Sequence, residues 1–190
     1  LPFIMFSQTQ LGSDINGEAG SDNSGRSVSM SSDGTIVAIG APYNDGNGNL
    51  SGHVRVYSWN GTTWVQLGSD IDGEGSSDES GFSVSLSSDG TKVAIGADGN
   101  DGGGIDSGHV RVYEYVSSTW TKVVSDIDGE AASDESGHKV SLSGDGTKVA
   151  IGAIGNDGGG IDSGHVRVYD IAPTISSVTA NWGDFLTEVE

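Results

Sequence analysis

A heptapeptide, Ser-Gly-His-Val-Arg-Val-Tyr, occurs three times, at Ser51–Tyr57, Ser107–Tyr113 and Ser163–Tyr169, each copy 56 residues from the next. Its surroundings keep the same register. Ser-Ser-Asp-Gly-Thr begins at Ser31 and Ser87, Ser-Gly-Asp-Gly-Thr at Ser143, and Ser-Asp-Ile recurs at Ser13, Ser69 and Ser125. A fixed period of this length constrains the fold more than any other feature. The chain is one supersecondary unit, copied, and such units bury their apolar faces against one another.

The central copy shows what the unit is. Phe82–Ser87 alternates, with Val84 and Leu86 on one face, and strict alternation marks a strand. Ser88-Asp89-Gly90 supplies turn residues before Thr91–Ala97. There Val93 and Ile95 share one face, and the small residues Ala94 and Gly96 share the other, where a neighbouring sheet can approach closely. A Gly/Asp/Asn loop, Asp98–Ser107, leads to His109–Tyr115, in which Val110 and Val112 stand opposite His109, Arg111 and Tyr113. A Ser-Ser turn and Thr119–Val124 give a fourth strand, and the acidic loop Ser125–Ser136 reaches the next copy. No segment carries the period of an amphipathic helix. Four hairpin-linked strands in a unit of this size are the pattern of a propeller blade, so the expected class is all-β, a β-propeller of 56-residue four-stranded blades. A β-sandwich or β-solenoid is the runner-up.

Charge narrows the partners. The chain has 27 acidic and 8 basic residues for a net charge of −19, which opposes nucleic acid and anionic membranes. It has no cysteine, hence no disulfide framework and no thiolate metal site. No apolar run is long enough for a membrane span. Leu1–Ser7 (residues 1–7) reads either as the remnant of a secretory signal peptide, an apolar core giving way to a polar end, or as a first strand.

Gly81–Ala97, followed by a Gly/Asp/Asn loop, Ser-Gly-His-Val-Arg-Val-Tyr and a Trp-containing strand, resembles the FG-GAP repeats of bacterial surface proteins, relatives of the integrin α-subunit propeller. Gly40-Ala41-Pro42 keeps the second half of that name literally. The resemblance covers residues 8–171 and implies a propeller in a secreted or cell-surface protein. Two departures stand out. Ser24, Ser80 and Ser136 replace the phenylalanine before Gly25, Gly81 and Gly137. The loop between the first two strands, Ser-Ser-Asp-Gly or Ser-Gly-Asp-Gly, offers too few oxygens for the calcium that integrin-type repeats hold there.

The expected organisation is three blades, bounded near residues 8–66, 67–122 and 123–171. Gln8–Ile15 stands as a fourth-strand equivalent that completes a last blade lacking its own. Known propellers close with about four to eight blades. Three therefore call for a homodimer closing a six-bladed ring, with Gln8–Ile15 completing the partner's last blade, or for further blades in a longer chain. Residues 172–190 read as a linker and then either the opening of an Ig-like domain or a segment draped on the propeller.

The candidate metal ligands are carboxylates of the acidic loops: Asp70, Asp72, Glu74 and Asp78 in one copy, Asp126, Asp128, Glu130 and Asp134 in the next. Alternating carboxylates can chelate calcium, although Asp-x-Asp-Gly-Glu departs from the EF-hand order. The competing reading is a solvated loop whose aspartates cap backbone N–H groups. The loop at Asn44–Asn49 divides the same way, between calcium and an ordinary turn. His53, His109 and His165 occupy equivalent places on separate blades and do not share a metal, and His138 sits alone. Arg55, Arg111 and Arg167 pair with the acidic loops. Catalysis needs convergent, non-equivalent groups, and the repeats multiply equivalent ones. Three functions fit: a non-catalytic extracellular or cell-surface binding or adhesion module with a protein or glycan ligand; a calcium-dependent carbohydrate-binding or carbohydrate-processing protein; or a structural spacer in a surface appendage.

Overall fold

The computed structural model describes residues 7–173. The expected signal-peptide remnant and the segment expected to open an Ig-like domain lie mainly outside these residues. The described chain is all-β, with no helix, and its thirteen strands fall into three antiparallel sheets, one per copy. The first sheet holds β1 (Ser27–Met30), β2 (Ile36–Ala41), β3 (His53–Trp59), β4 (Trp64–Gln66) and β5 (Ile71–Asp72). The second repeats it as β6 (Ser83–Leu86), β7 (Lys92–Ala97), β8 (His109–Val116), β9 (Thr119–Lys122) and β10 (Ile127–Asp128). The third comprises β11 (Ser136–Leu142), β12 (Lys148–Ala153) and β13 (His165–Asp170). This is the expected blade order, and register repeats with it: Ile39 pairs Arg55, Ile95 pairs Arg111 and Ile151 pairs Arg167.

The sequence reading missed the two-residue strands β5 and β10, which lie inside the acidic loops. In the first two sheets the third strand is longer than its outer partner. β4 covers Tyr57–Trp59, leaving the edge at His53–Val54 for β5, and β10 does the same at His109–Val110. Unpaired edge groups at a buried position find the nearest chain that can satisfy them. Gln8–Ile15, expected as a strand, has no sheet partner among the described residues, and β13 has none on its outer edge.

The core lies between sheets. Ala38, Val54 and Val56 of the first sheet meet Val84, Leu86, Val93 and Ile95 of the second. Ala94, Val110 and Val112 of the second meet Leu142, Val149 and Ile151 of the third. Full burial of such a side chain is worth about 1.5–3 kcal/mol, so these junctions are the main source of stability. The small face of the second strand does what its pattern predicts. A Cβ at Gly40 would overlap the Gly81 carbonyl of the next sheet, and one at Gly96 the Gly137 carbonyl. Serines fasten the first strands across the seam: Ser27 Oγ donates to Gly81 O at 2.8 Å and Ser83 Oγ to Gly137 O at 2.6 Å.

Each first hairpin turns on an aspartate. Asp89 accepts from Ser87 Oγ (2.6 Å) and the Thr91 backbone N–H (3.0 Å), with Gly90 at φ +71°. Asp33 and Asp145 repeat the arrangement, and hydrogen bonds from Ser143 and Thr147 lower the Asp145 pKa to about 2. A group depressed in this way stabilises the fold above 3.8 and loses that contribution as pH falls toward 2.

Candidate functional site

The acidic-loop residues divide between two tasks. Asp78 and Asp134 cap their own loops, accepting from the backbone N–H of Gly75 (2.8 Å) and Ala131 (3.1 Å). Asp134 also accepts from Asn156 Nδ2 at 3.0 Å. Asp72 and Asp128 end β5 and β10, where their backbone carbonyls accept from Arg111 Nη2 (2.8 Å) and Arg167 Nη2 (2.7 Å). Glu74 and Glu130 pair with the same arginines, at 3.3 and 3.6 Å, the pairing expected for the arginines. The eight carboxylates do not form one cluster per loop. The glutamate of one loop and the aspartate of the next meet instead across a histidine.

Glu18, His53 and Asp70 bring their ligand atoms within 4.8 Å of one another, and Glu74, His109 and Asp126 repeat the trio one blade on. His165 has Glu130 at 3.7 Å. The three histidines thus stand apart, one per sheet, each beside its own carboxylates. Burial, and secondarily the Arg111 guanidinium, push the His109 pKa down, so this imidazole is held neutral. An arginine already faces the glutamate in each trio (Arg55 Nη1 to Glu18 is 3.5 Å), supplying the positive charge that a cation would bring.

A different cluster breaks the repetition. His138, expected to sit alone, lies with its Nδ1 2.9 Å from Asp98 Oδ2 and 3.7 Å from Glu135 Oε2. Asp98 follows β7 of the second sheet and His138 lies on β11 of the third, so the pair spans a blade junction. With Glu79, Phe82, Gly99 and Asp106 these residues line an open pocket of about 360 Å³. Phe82 packs on the imidazole at 4.8 Å between ring centroids, and the Arg26 guanidinium lies over the Phe82 ring at 4.3 Å. Arg26, Phe82 and His138 are the same position of three copies, stacked in a column; Asp98 corresponds to Pro42 and Ile154. The pocket exists because these positions diverge while their surroundings are copied. Comparison of the copies residue by residue, for differences rather than for shared strings, is the sequence signal that finds it.

Its electrostatics are mainly acidic. Four carboxylates and one imidazole line the pocket, and the Arg26 guanidinium over Phe82 partly offsets the charge at Glu79. Asp98 is 7% exposed and its Oδ1 has no hydrogen-bond partner. Burial raises its pKa above 3.8, against the hydrogen bond from His138. Glu79 is raised above 4.5, first by burial and then by Asp98 and Asp106. An acid with a raised pKa binds its proton more tightly in the folded chain. Its contribution is therefore most favourable below the ordinary value and is lost as pH climbs through the raised one. Asp98→Asn is expected to remove this loss, so the stability difference between variant and parent grows in the variant's favour from acid to neutral pH. Urea unfolding across that range checks it; a difference independent of pH would contradict the assignment.

Residues 16–57 match the FG-GAP repeat family. No curated protein matches the chain. Among solved structures, hydrazine synthase from Kuenenia stuttgartiensis is similar at 14% identity and TM-score 0.49, over 77% of this chain and 34% of that one. The periplasmic gluconolactonase PpgL of Pseudomonas aeruginosa is similar at 16% identity and TM-score 0.45, over 76% of this chain and 38% of that one. The chain spans little more than a third of the length of either.

Proposed function

We propose that this chain, a β-propeller-type array of FG-GAP repeats, is a non-catalytic binding module displayed outside the cytoplasm, and that its ligand contact is the acidic pocket between the second and third sheets. The observation that carries this reading is Asp98 facing His138 across a junction where the other copies place Pro42 opposite Phe82. Four carboxylates around one imidazole suit a cationic group. A lysine or arginine side chain on a protein ligand meets this requirement. The lining residues include no serine, threonine or cysteine for the Asp98–His138 pair to activate, which favours binding over acyl transfer. The extracellular placement is supported by the usual setting of FG-GAP repeats; no helix among the described residues is long and apolar enough to cross a membrane.

The repeats supply a test that spares the fold. Asp98→Pro and His138→Phe install residues that another copy already carries at the same position, in the same backbone setting. Each is expected to leave the β-sheet circular dichroism spectrum intact. Asp98→Pro is expected to weaken binding of a lysine-rich peptide to the immobilised chain by about tenfold, the cost of one charge-assisted contact, and His138→Phe to alter it by releasing Asp98 from its hydrogen bond. Peptide binding unaffected by both changes, or hydrolysis of ester or glycoside substrates that both changes abolish, would contradict the reading.

A further inference from the structure

We propose that the two end faces of this chain close on a second copy of it, giving a two-fold ring of six blades in which each copy's N-terminal segment completes the other's last sheet. The largest differences in exposure between equivalent valines and methionine fall where a neighbouring sheet is lacking. Val54 and Val56 are 0% and 1% exposed and Val110 and Val112 are both 0%, but Val166 and Val168 on β13 are 69% and 67%. Val84 and Leu86 are 9% and 7% exposed, but Val28 and Met30 on β1 are 64% and 55%. One end of the array therefore presents the outgoing half of an interface already made twice inside the chain, and the other end presents the incoming half.

The close glycine contacts say the same. Gly40 meets Gly81 and Gly96 meets Gly137 across the two internal seams. Gly152 and Gly25 hold those two positions at the open ends, where a Cβ on Gly152 would meet nothing nearer than 3.7 Å and one on Gly25 nothing within 4 Å. Their repeat positions pair them with each other on the second copy. One residue departs: Lys139 stands where Ser27 and Ser83 reach across, with its ammonium group as the donor in place of a hydroxyl.

The N-terminal segment identifies the occupant. It lies against the first sheet as the outer strand and loop of a preceding blade would. Trp64 Nε1 donates to Leu11 O at 3.1 Å as Trp120 Nε1 does to Leu67 O at 2.7 Å. Arg55 Nη2 donates to Asn16 O at 2.8 Å as Arg111 Nη2 does to Asp72 O. A pocket lined by Ser13, Asp14, Ile15 and Asn16 with Trp64 repeats the one lined by Ser69, Asp70, Ile71 and Asp72 with Trp120. The segment has the place of an outer strand but no sheet to join, and β13 is a strand whose outer edge has no partner among the described residues. The register that pairs Val54 with Ile71 and His53 with Asp72 would pair Val166 with Ile15 and His165 with Asn16 of the second copy. Two copies joined in this way give six blades, within the four to eight that propellers use.

Light scattering on the whole chain at micromolar concentration tests this. The expected mass is twice 19.3 kDa. Gly152→Ala, which meets no close neighbour within its own chain, is expected to keep the β-sheet circular dichroism spectrum and to give a mass of 19.3 kDa. Val166→Lys is expected to do the same. A wild-type mass of one chain, an open series of higher multiples, or a dimer that survives both substitutions would overturn the proposal.

Discussion

Gly96→Ala is expected to destabilise the fold by about 3 kcal/mol, the upper part of the range for overpacking a close junction. Gly96 lies on β7 at the centre of the second sheet, and the Gly137 carbonyl of the third sheet occupies the space that a Cβ would need. Relief cannot come from a rotamer change, because the obstructing atoms are backbone. The two sheets must part, and parting them loosens Ala94, Val110 and Val112 from Leu142, Val149 and Ile151. Ser83 Oγ, which holds the same carbonyl at 2.6 Å, would also have to give way. Urea unfolding monitored by tryptophan fluorescence measures the cost. A loss below about 0.5 kcal/mol, the scatter of ordinary surface changes, would mean that the sheets do not approach as described.

Ile95→Ala is expected to cost about 2–5 kcal/mol, the range for truncating a buried isoleucine. Ile95 is 1% exposed and packs in the cluster formed by Val54, Val56, Val84, Leu86, Val93 and Trp120. The same substitution at Ile39, the equivalent position of the first sheet, provides the control. Ile39 is only half-buried, because its side of the first sheet is an end face. In the single chain it should cost less than half as much. Measurement of both variants at a concentration that keeps chains apart separates residue type from neighbourhood. Equal costs would show that the end face is already covered within the chain.

How far the fold was legible follows from these particulars. The alternation in Phe82–Ser87, Thr91–Ala97 and His109–Tyr115 located β6, β7 and β8 to within a residue or two, because each strand has one face that must be apolar. The Ala94/Gly96 face was readable as a seam, since small residues there have no other evident use. β5 and β10 were not legible. A two-residue strand carries no period, and its presence depends on how much edge β3 and β8 leave free, which is a property of the sheet. Gln8–Ile15 matched Val65–Ile71 in sequence but is not a strand, because pairing needs an edge and none lies beside it among the described residues.

The site was less legible for a related reason. Copied strings drew attention to the acidic loops, whose carboxylates meet the histidine and arginine of the adjoining blade in ways that only the register reveals. Asp98 and His138 lie 40 residues apart and are joined at 2.9 Å by the stacking of two sheets. Neither belongs to any shared string. The difference between Pro42, Asp98 and Ile154, set beside that between Arg26, Phe82 and His138, was visible in the sequence. Its meaning required knowing that those two positions face each other across every junction.

The same sheet-to-sheet interface is made twice within the chain, and the proposed ring makes it twice more between copies. A variant carrying Ile15→Cys and Val166→Cys tests it most directly, since the chain has no cysteine of its own. Neighbours paired across antiparallel strands lie within reach of a disulfide. After mild oxidation, the account predicts a reducible band at twice the chain mass on non-reducing electrophoresis. A band at the single-chain mass, or a ladder of larger species, would contradict it.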